Sequence, residues 1–206
     1  MSDDPQISQR QRRFAVPSAL AALSLVSSLA GCYTGAARDT SAAQVASEPG
    51  WLKVSGVPFV PQRGDEDCGA AAMAMTFAYW GRPESIEQIV AAHPPRDGGI
   101  AAGELRDLAR SRGLHAFLVE GTFLDLENQL SRHRPVVVGL TKPLLGGRAV
   151  QHYEVVIGIN RTARRVLTWD PSQGLRENSV EGFAGEWIGA KRVTLIVYAA
   201  PPASAS

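Results

Sequence analysis

The stretch that decides the fold is Gln62-Arg63-Gly64-Asp65-Glu66-Asp67-Cys68-Gly69-Ala70-Ala71. A polar, acidic loop gives way at Cys68 to an Ala- and Met-rich run that reaches Trp80 and is stopped by Gly81 and Pro83. This pattern predicts a helix over 68–80 with Asp67 as its N-cap. A cysteine at that position meets unpaired backbone N–H groups and the positive end of the helix dipole, and both favour the thiolate. Gly69 carries no side chain, which would let a substrate approach closely. Asp65, Glu66 and Asp67 oppose a thiolate unless they point elsewhere, so the sulfur needs a histidine partner.

Downstream, the chain reads as helices and then strands. Ser85 with Gln88 three residues on is a capping-box pattern that opens a short helix to about Ala92. A third helix is predicted over 102–112, with Leu105, Leu108 and Ala109 on one face and Gly113 as its stop. A fourth follows Thr122, with Leu126 and Leu130 facing inward. Runs at 114–119, 135–140, 153–159, 166–169 and 193–199 are rich in β-branched and aromatic residues and predict strands, while 141–150 reads as a loop. Helices followed by mostly antiparallel strands predict an α+β fold.

Of the four histidines, His93, His115 and His133 have ordinary surface or helix-end explanations. His152 opens a strong strand after a glycine-containing loop, where functional groups tend to sit. A hairpin centred near Arg161 would set His152 directly opposite Asp170, with Cβ atoms roughly 5 Å apart. A carboxylate beside an imidazole fixes its tautomer and steadies its charged form. Gln62, six residues before Cys68, offers a side-chain amide to a developing oxyanion, with the Cys68 backbone N–H as second donor. Four histidines and one free cysteine show no metal-ligand spacing, so no metal or cofactor is implied.

In this order, Val57-Pro58-Phe59-Val60-Pro61-Gln62, Asp67-Cys68-Gly69-Ala70-Ala71, Gln151-His152-Tyr153 and Asp170-Pro171 resemble the C39 peptidase group of papain-like proteases. The resemblance spans about residues 55–200. It implies a papain-like fold, a helical half packed on an antiparallel sheet, and a catalytic set of Cys68, His152, Asp170 and Gln62 acting on a peptide or protein substrate. Best-known members cleave leader peptides after a Gly-Gly pair as a cytoplasmic domain fused to an ABC transporter. Here no ATPase domain or membrane spans are expected. Leu144-Leu145-Gly146-Gly147 looks superficially like such a cleavage site, but a glycine loop is the simpler reading. Two other readings of the same fold are a catalytically silent peptide-binding module and an acyl transferase.

The N-terminus points to export. Arg10, Arg12 and Arg13 precede an apolar run from Phe14 to Ala30, and small residues lead to Cys32. The run is too short, and too interrupted by Pro17 and serines, for the roughly 20 apolar residues of a membrane span. It matches a secretory signal. Leu29-Ala30-Gly31-Cys32 resembles a lipobox, which implies a lipid on Cys32. The expected organisation is a signal peptide at 1–31, a flexible tether at 32–50, the folded domain at 51–200 and a tail at 201–206. The domain would then be lipid-anchored at the cell envelope, with an export system as a further partner. In a two-membrane cell, Tyr33 after the lipid cysteine favours the outer membrane, facing the periplasm. With Cys32 lipidated, Cys68 has no disulfide partner within the chain. A net charge of +1 with scattered arginines excludes a nucleic-acid partner from the expected set.

Overall fold

The computed structural model describes residues 35–144 and 146–200. The expected signal peptide, lipid site Cys32, Tyr33, Leu145 and the 201–206 tail lie outside the described residues.

Helix α2, which carries Cys68, forms the centre of the helical half. Two short strands, β1 (Arg38–Asp39) and β2 (Trp51–Lys53), and the helix α1 (Ala42–Ser47) precede α2 (Cys68–Tyr79). Every residue of α2 from Cys68 to Phe77 is buried. A helix that is apolar all round is stable only when other elements surround it, and α2 is so placed. Trp80, at its C-cap, donates its indole N–H to the Val197 carbonyl at 3.0 Å and so ties the end of α2 to the sheet. Asp67 occupies the N-cap position but makes no side-chain cap bond.

The flanking helices match their sequence signals. α3 (Ile86–Ala92) opens with the expected reciprocal box, Gln88 N–H donating to Ser85 Oγ at 3.3 Å and Ser85 N–H to Gln88 Oε1 at 2.8 Å. α4 (Ala102–Ser111) buries Leu105, Leu108 and Ala109. The chain leaves it through Gly113 at φ +73°, a left-handed conformation that glycine adopts without strain. α5 (Phe123–Leu130) is boxed by Thr122 and Asp125 and buries Leu126 and Leu130.

The second half is an antiparallel sheet made by β3 (His115–Glu120), β4 (Val136–Pro143), β5 (Ala149–Asn160), β6 (Arg165–Asp170), β7 (Gly174–Ser179) and β8 (Val193–Tyr198), with β1 and β2 added. Their order is β1-β7-β6-β5-β4-β8-β3, and β2 pairs with β5. The remaining helix, α6 (Val180–Gly189), links β7 to β8. With most helices first and the antiparallel sheet after them, the architecture is the expected α+β one. Among the described residues no helix is long and apolar enough to cross a membrane.

Two expectations are corrected, and two elements lie where none was expected. Residues 35–50, expected to be tether, are part of the folded body. β1 pairs with β7 through Arg38 opposite Glu177 and Asp39 opposite Arg176, and these cross-strand partners are also ion pairs. Polar composition masked a strand whose partners are charges. The expected loop over 141–150 shrinks to 144–148, because β4 runs on through Lys142 and Pro143 to pair with Val150 and Ala149. Gly146 and Gly147, at φ +81° and +76°, turn the hairpin. β7 and α6 carry no clear sequence signal, since α6 contains three glycines. A Cβ at Gly182 would lie 2.2 Å from the Ala36 Cβ, and one at Gly189 would lie 2.9 Å from the Thr141 Cβ. The glycines let α6 press against β4 and the N-terminal segment, a tertiary demand that overrides helix propensity.

Candidate active site

Cys68 is buried, 3% exposed, at the first residue of α2. Its sulfur is hydrogen-bonded to His152 of β5. The other side of the imidazole meets Asp170, the last residue of β6, with Nε2 and Oδ1 at 2.9 Å. Nε2 is thus committed to the carboxylate, which leaves Nδ1 for the sulfur. His152 is 5% exposed and Asp170 fully buried. Asp170 Oδ1 also accepts the Ser172 and Gln173 backbone N–H groups, at 2.8 and 3.3 Å. The carboxylate therefore starts the β6–β7 turn and braces the imidazole at once.

The route by which His152 and Asp170 meet differs from the expected one. The β5–β6 hairpin closes at Asn160 opposite Arg165, not around Arg161. Continued without a break, that register would put Asp170 opposite Val155, on the face away from His152. A β-bulge between Val156 and Gly158 shifts the pairing by one residue, so that Val155 lies opposite Trp169. The next position sets Asp170 opposite Glu154, on the same face as His152 and one pleat from it. The two are diagonal neighbours, not a direct pair, and long side chains span that diagonal. Bulges re-aim side chains in this way, and this one turns the carboxylate to the histidine's face.

Gln62 sits in the segment leading to Cys68, and that segment is pinned to the strands bearing the other two groups. Val54 N–H donates to the Ile157 carbonyl at 2.8 Å, Trp169 Nε1–H to the Val57 carbonyl at 3.2 Å, and Gln62 N–H to the Pro171 carbonyl at 2.9 Å. The Gln62 side chain gives one amide hydrogen to the Gly64 carbonyl at 2.9 Å. The acidic run does not crowd the sulfur. The Asp67 carboxylate lies 3.5 Å from Arg63, and Asp65 and Glu66 are exposed. Because Asp67 makes no cap, its carboxylate leaves the first-turn N–H groups of α2 uncovered.

Gly69 serves a purpose other than the expected one. A Cβ there would meet Tyr153 Cδ2 at 3.2 Å and Leu105 Cδ1 at 3.3 Å. The missing side chain admits the Tyr153 ring and Leu105 against the helix start; it is not a gap held for substrate. Tyr153 is pushed up to about 12 by burial and by the neighbouring Cys68 charge, so its phenol stays neutral.

Charge organises the site. Burial, the largest influence on His152, lowers its pKa. The hydrogen bonds from Asp170 and Cys68 and their charges together outweigh it and raise the imidazole to about 10. At neutral pH the ring is therefore an imidazolium between a carboxylate and a sulfur. Glu154 adds a third acid group, and its carboxylate, His152 and Asp170 offer atoms within 4.8 Å of one another. A cation could use such a group, but Lys142 Nζ already lies 2.6 Å from Glu154 and supplies the positive charge.

Cys68 opens on a cleft of about 550 Å3, walled by Tyr153, Gln151, Glu104 and the loop from Arg96 to Ala101. That loop escaped sequence reasoning. Arg96 and Gly99 bridge across a tight turn in which Asp97 and Gly98 have φ of +52° and +92°. The available signal was Asp97-Gly98, a dipeptide suited to two successive left-handed residues. His93, His115 and His133 are not among the residues lining this cleft.

Residues 56–199 match the peptidase C39 family. The fold is similar to the peptidase domain of Streptococcus ComA, a bifunctional ABC transporter involved in quorum sensing, at 23% identity and a TM-score of 0.59, covering 70% of this chain and 100% of that one. A C39-like peptidase from Bacillus anthracis is similar at 18% identity and a TM-score of 0.59, covering 73% of this chain and 98% of that one. A double glycine motif protease from an AMS/PCAT transporter, solved in complex with its leader peptide, is similar at 20% identity and a TM-score of 0.53, covering 72% and 95%. No curated protein matches the sequence. With the family matched over most of its length and the fold shared with solved peptidase domains, this chain belongs to the peptidase C39 family.

Proposed function

We propose that the chain is a cysteine peptidase that hydrolyses peptide bonds through an acyl-enzyme on Cys68. The observation that carries this reading is the single imidazole of His152, hydrogen-bonded to the Cys68 sulfur on one side and 2.9 Å from Asp170 on the other. The cleft beside Cys68 is where the peptide lies.

The chemistry follows from the charge states. The Cys68 thiolate attacks the peptide carbonyl carbon, forming a C–S bond and an oxyanion. The Cys68 N–H and the second amide hydrogen of Gln62 hold that oxyanion. The C–N bond breaks as the His152 imidazolium protonates the departing amine. His152, now neutral, takes a proton from water, whose hydroxyl attacks the thioester. The acid leaves, and thiolate and imidazolium are restored. Asp170 keeps the ring oriented throughout.

The test is an electrophilic peptide probe read by mass spectrometry at Cys68. Rapid labelling that is lost in His152→Ala is the expected result. Labelling at the rate of an ordinary free thiol, unchanged in His152→Ala, overturns the reading and leaves a peptide-binding module. The same proposal includes lipid anchoring through Cys32 at the cell envelope, on the periplasmic side of the outer membrane in a two-membrane cell. Radiolabelled fatty acid should be incorporated by the wild type and not by Cys32→Ser; equal incorporation, or none in either, rejects the anchor.

A further inference from the structure

Behind His152 lies a second set of buried charges that the proposed reaction does not use. Lys142 of β4 is fully buried, with its Nζ 2.6 Å from Glu154 of β5 and 2.7 Å from Glu186 of α6. Glu186 in turn accepts the Ala36 N–H at 2.7 Å, so the N-terminal segment closes the set. Gly35 is needed there, since a Cβ would come within 2.7 Å of the Glu186 carboxylate.

Isolated buried charges are costly, and a lone ammonium shared by two carboxylates leaves an excess of negative charge. The register makes this excess local. Asp170 falls opposite Glu154, and acid groups directly opposite in a sheet repel. Among the described residues, Glu154 and Glu186 share the Lys142 ammonium, while the Glu154 carboxylate also lies within 4.8 Å of the His152 ring nitrogen and the Asp170 carboxylate. The titratable groups around the ring are Cys68 from α2, Asp170 from β6, Lys142 from β4, Glu186 from α6, and Glu154 and Tyr153 from β5 itself.

We propose that Glu154 is a positioning residue for His152, its carboxylate adding to that of Asp170, within 4.8 Å of the ring, to hold the imidazole charged and in place beside the Cys68 sulfur. Lys142 and Glu186 hold Glu154 in the strand's interior, where it acts on the ring by charge without displacing Asp170 as its hydrogen-bond partner. The inference rests on the peptidase reading above. It deepens that reading by naming a group that touches neither substrate nor sulfur. Lys142 agrees with this arrangement. Burial lowers its pKa most, yet the charges of Glu154 and Glu186 outweigh burial and hold it above the ordinary lysine value.

The test follows the protonation of the His152 ring against pH by imidazole ¹⁵N NMR of the full chain. The wild-type ring should stay protonated through neutral pH. In Glu154→Gln, which keeps the shape, release of the ring proton should move down by about one pH unit, the scale of losing one nearby opposite charge. The double variant Lys142→Leu/Glu154→Val replaces the ion pair with apolar groups, an exchange that buried pairs often tolerate. It should shift in the same direction by less, and it decides the matter if the single variant does not fold. A folded variant whose profile superimposes on wild type overturns the positioning role while leaving the peptidase reading intact. A wild-type ring that titrates near 6.5, the ordinary histidine value, removes both.

Discussion

Helix α2 and strand β5 both pass through the interior, but they bury different chemistry. From Cys68 to Phe77 α2 buries alanines, methionines, a phenylalanine and one threonine whose hydroxyl returns to the Ala72 carbonyl at 2.8 Å. Strand β5 buries His152 and Glu154, each matched by a charged partner on a neighbouring strand. The sulfur is thus placed by packing and its partners by charge. Apolar packing is insensitive to pH and sensitive to volume, whereas a charge array is the reverse. Changes on the two sides of the Cys68–His152 contact should therefore fail in different ways.

The largest effect is expected on the charge side. Asp170→Ala removes the brace of a buried imidazole and the acceptor for two turn amides. Peptide turnover should fall about 10³- to 10⁴-fold, the scale seen when a triad carboxylate is lost. Unfolding stability should drop by about 3–5 kcal/mol, because a buried charge is left unpaired. A variant with turnover within tenfold of wild type would break the claim that this carboxylate orients His152.

A smaller and differently shaped effect is expected on the packing side. Met73 is fully buried in α2. Met73→Ala should cost about 2–5 kcal/mol in denaturant unfolding through the cavity it leaves. The pH at which the His152 ring releases its proton should stay where it was, provided the assay is run where the variant is folded. A shifted profile would show that packing and charge are not separable here, and the contrast between α2 and β5 would fail.

The same contrast explains what could be read from the sequence. Local signals were clear at α2 to α5, though not at α1 or α6. The Ser85–Gln88 box, the Thr122 cap, the inward Leu105, Leu108, Leu126 and Leu130, and the Gly113 stop all depend on neighbours within a turn or two. Cys68, His152, Asp170 and Gln62 stood out by residue type and order, and the folded chain brings the first three together. What stayed hidden depends on distant partners. The bulge at Ile157 that turns Asp170 toward His152 is set by pairing across β5 and β6. β1 looked like tether because its partners, Glu177 and Arg176, lie far along the chain. Gly69 looked like open space for a substrate because Tyr153 and Leu105 reach it only in the folded state. The Lys142–Glu154–Glu186 set was invisible for the same reason, with Lys142 sitting in what read as a loop.

His152 links the two sides, and its proton is the quantity that reports on both. Its raised pKa means that the charged ring stabilises the fold fully below about 6.5, the ordinary histidine value, and that this stability is lost as pH climbs through about 10. Imidazole ¹⁵N NMR of His152 across pH 5–11, in wild type and in Cys68→Ala, measures this directly. The account requires a ring that stays protonated through neutral pH in wild type and releases its proton earlier once the sulfur is gone. A ring that titrates near 6.5 in both proteins would contradict it.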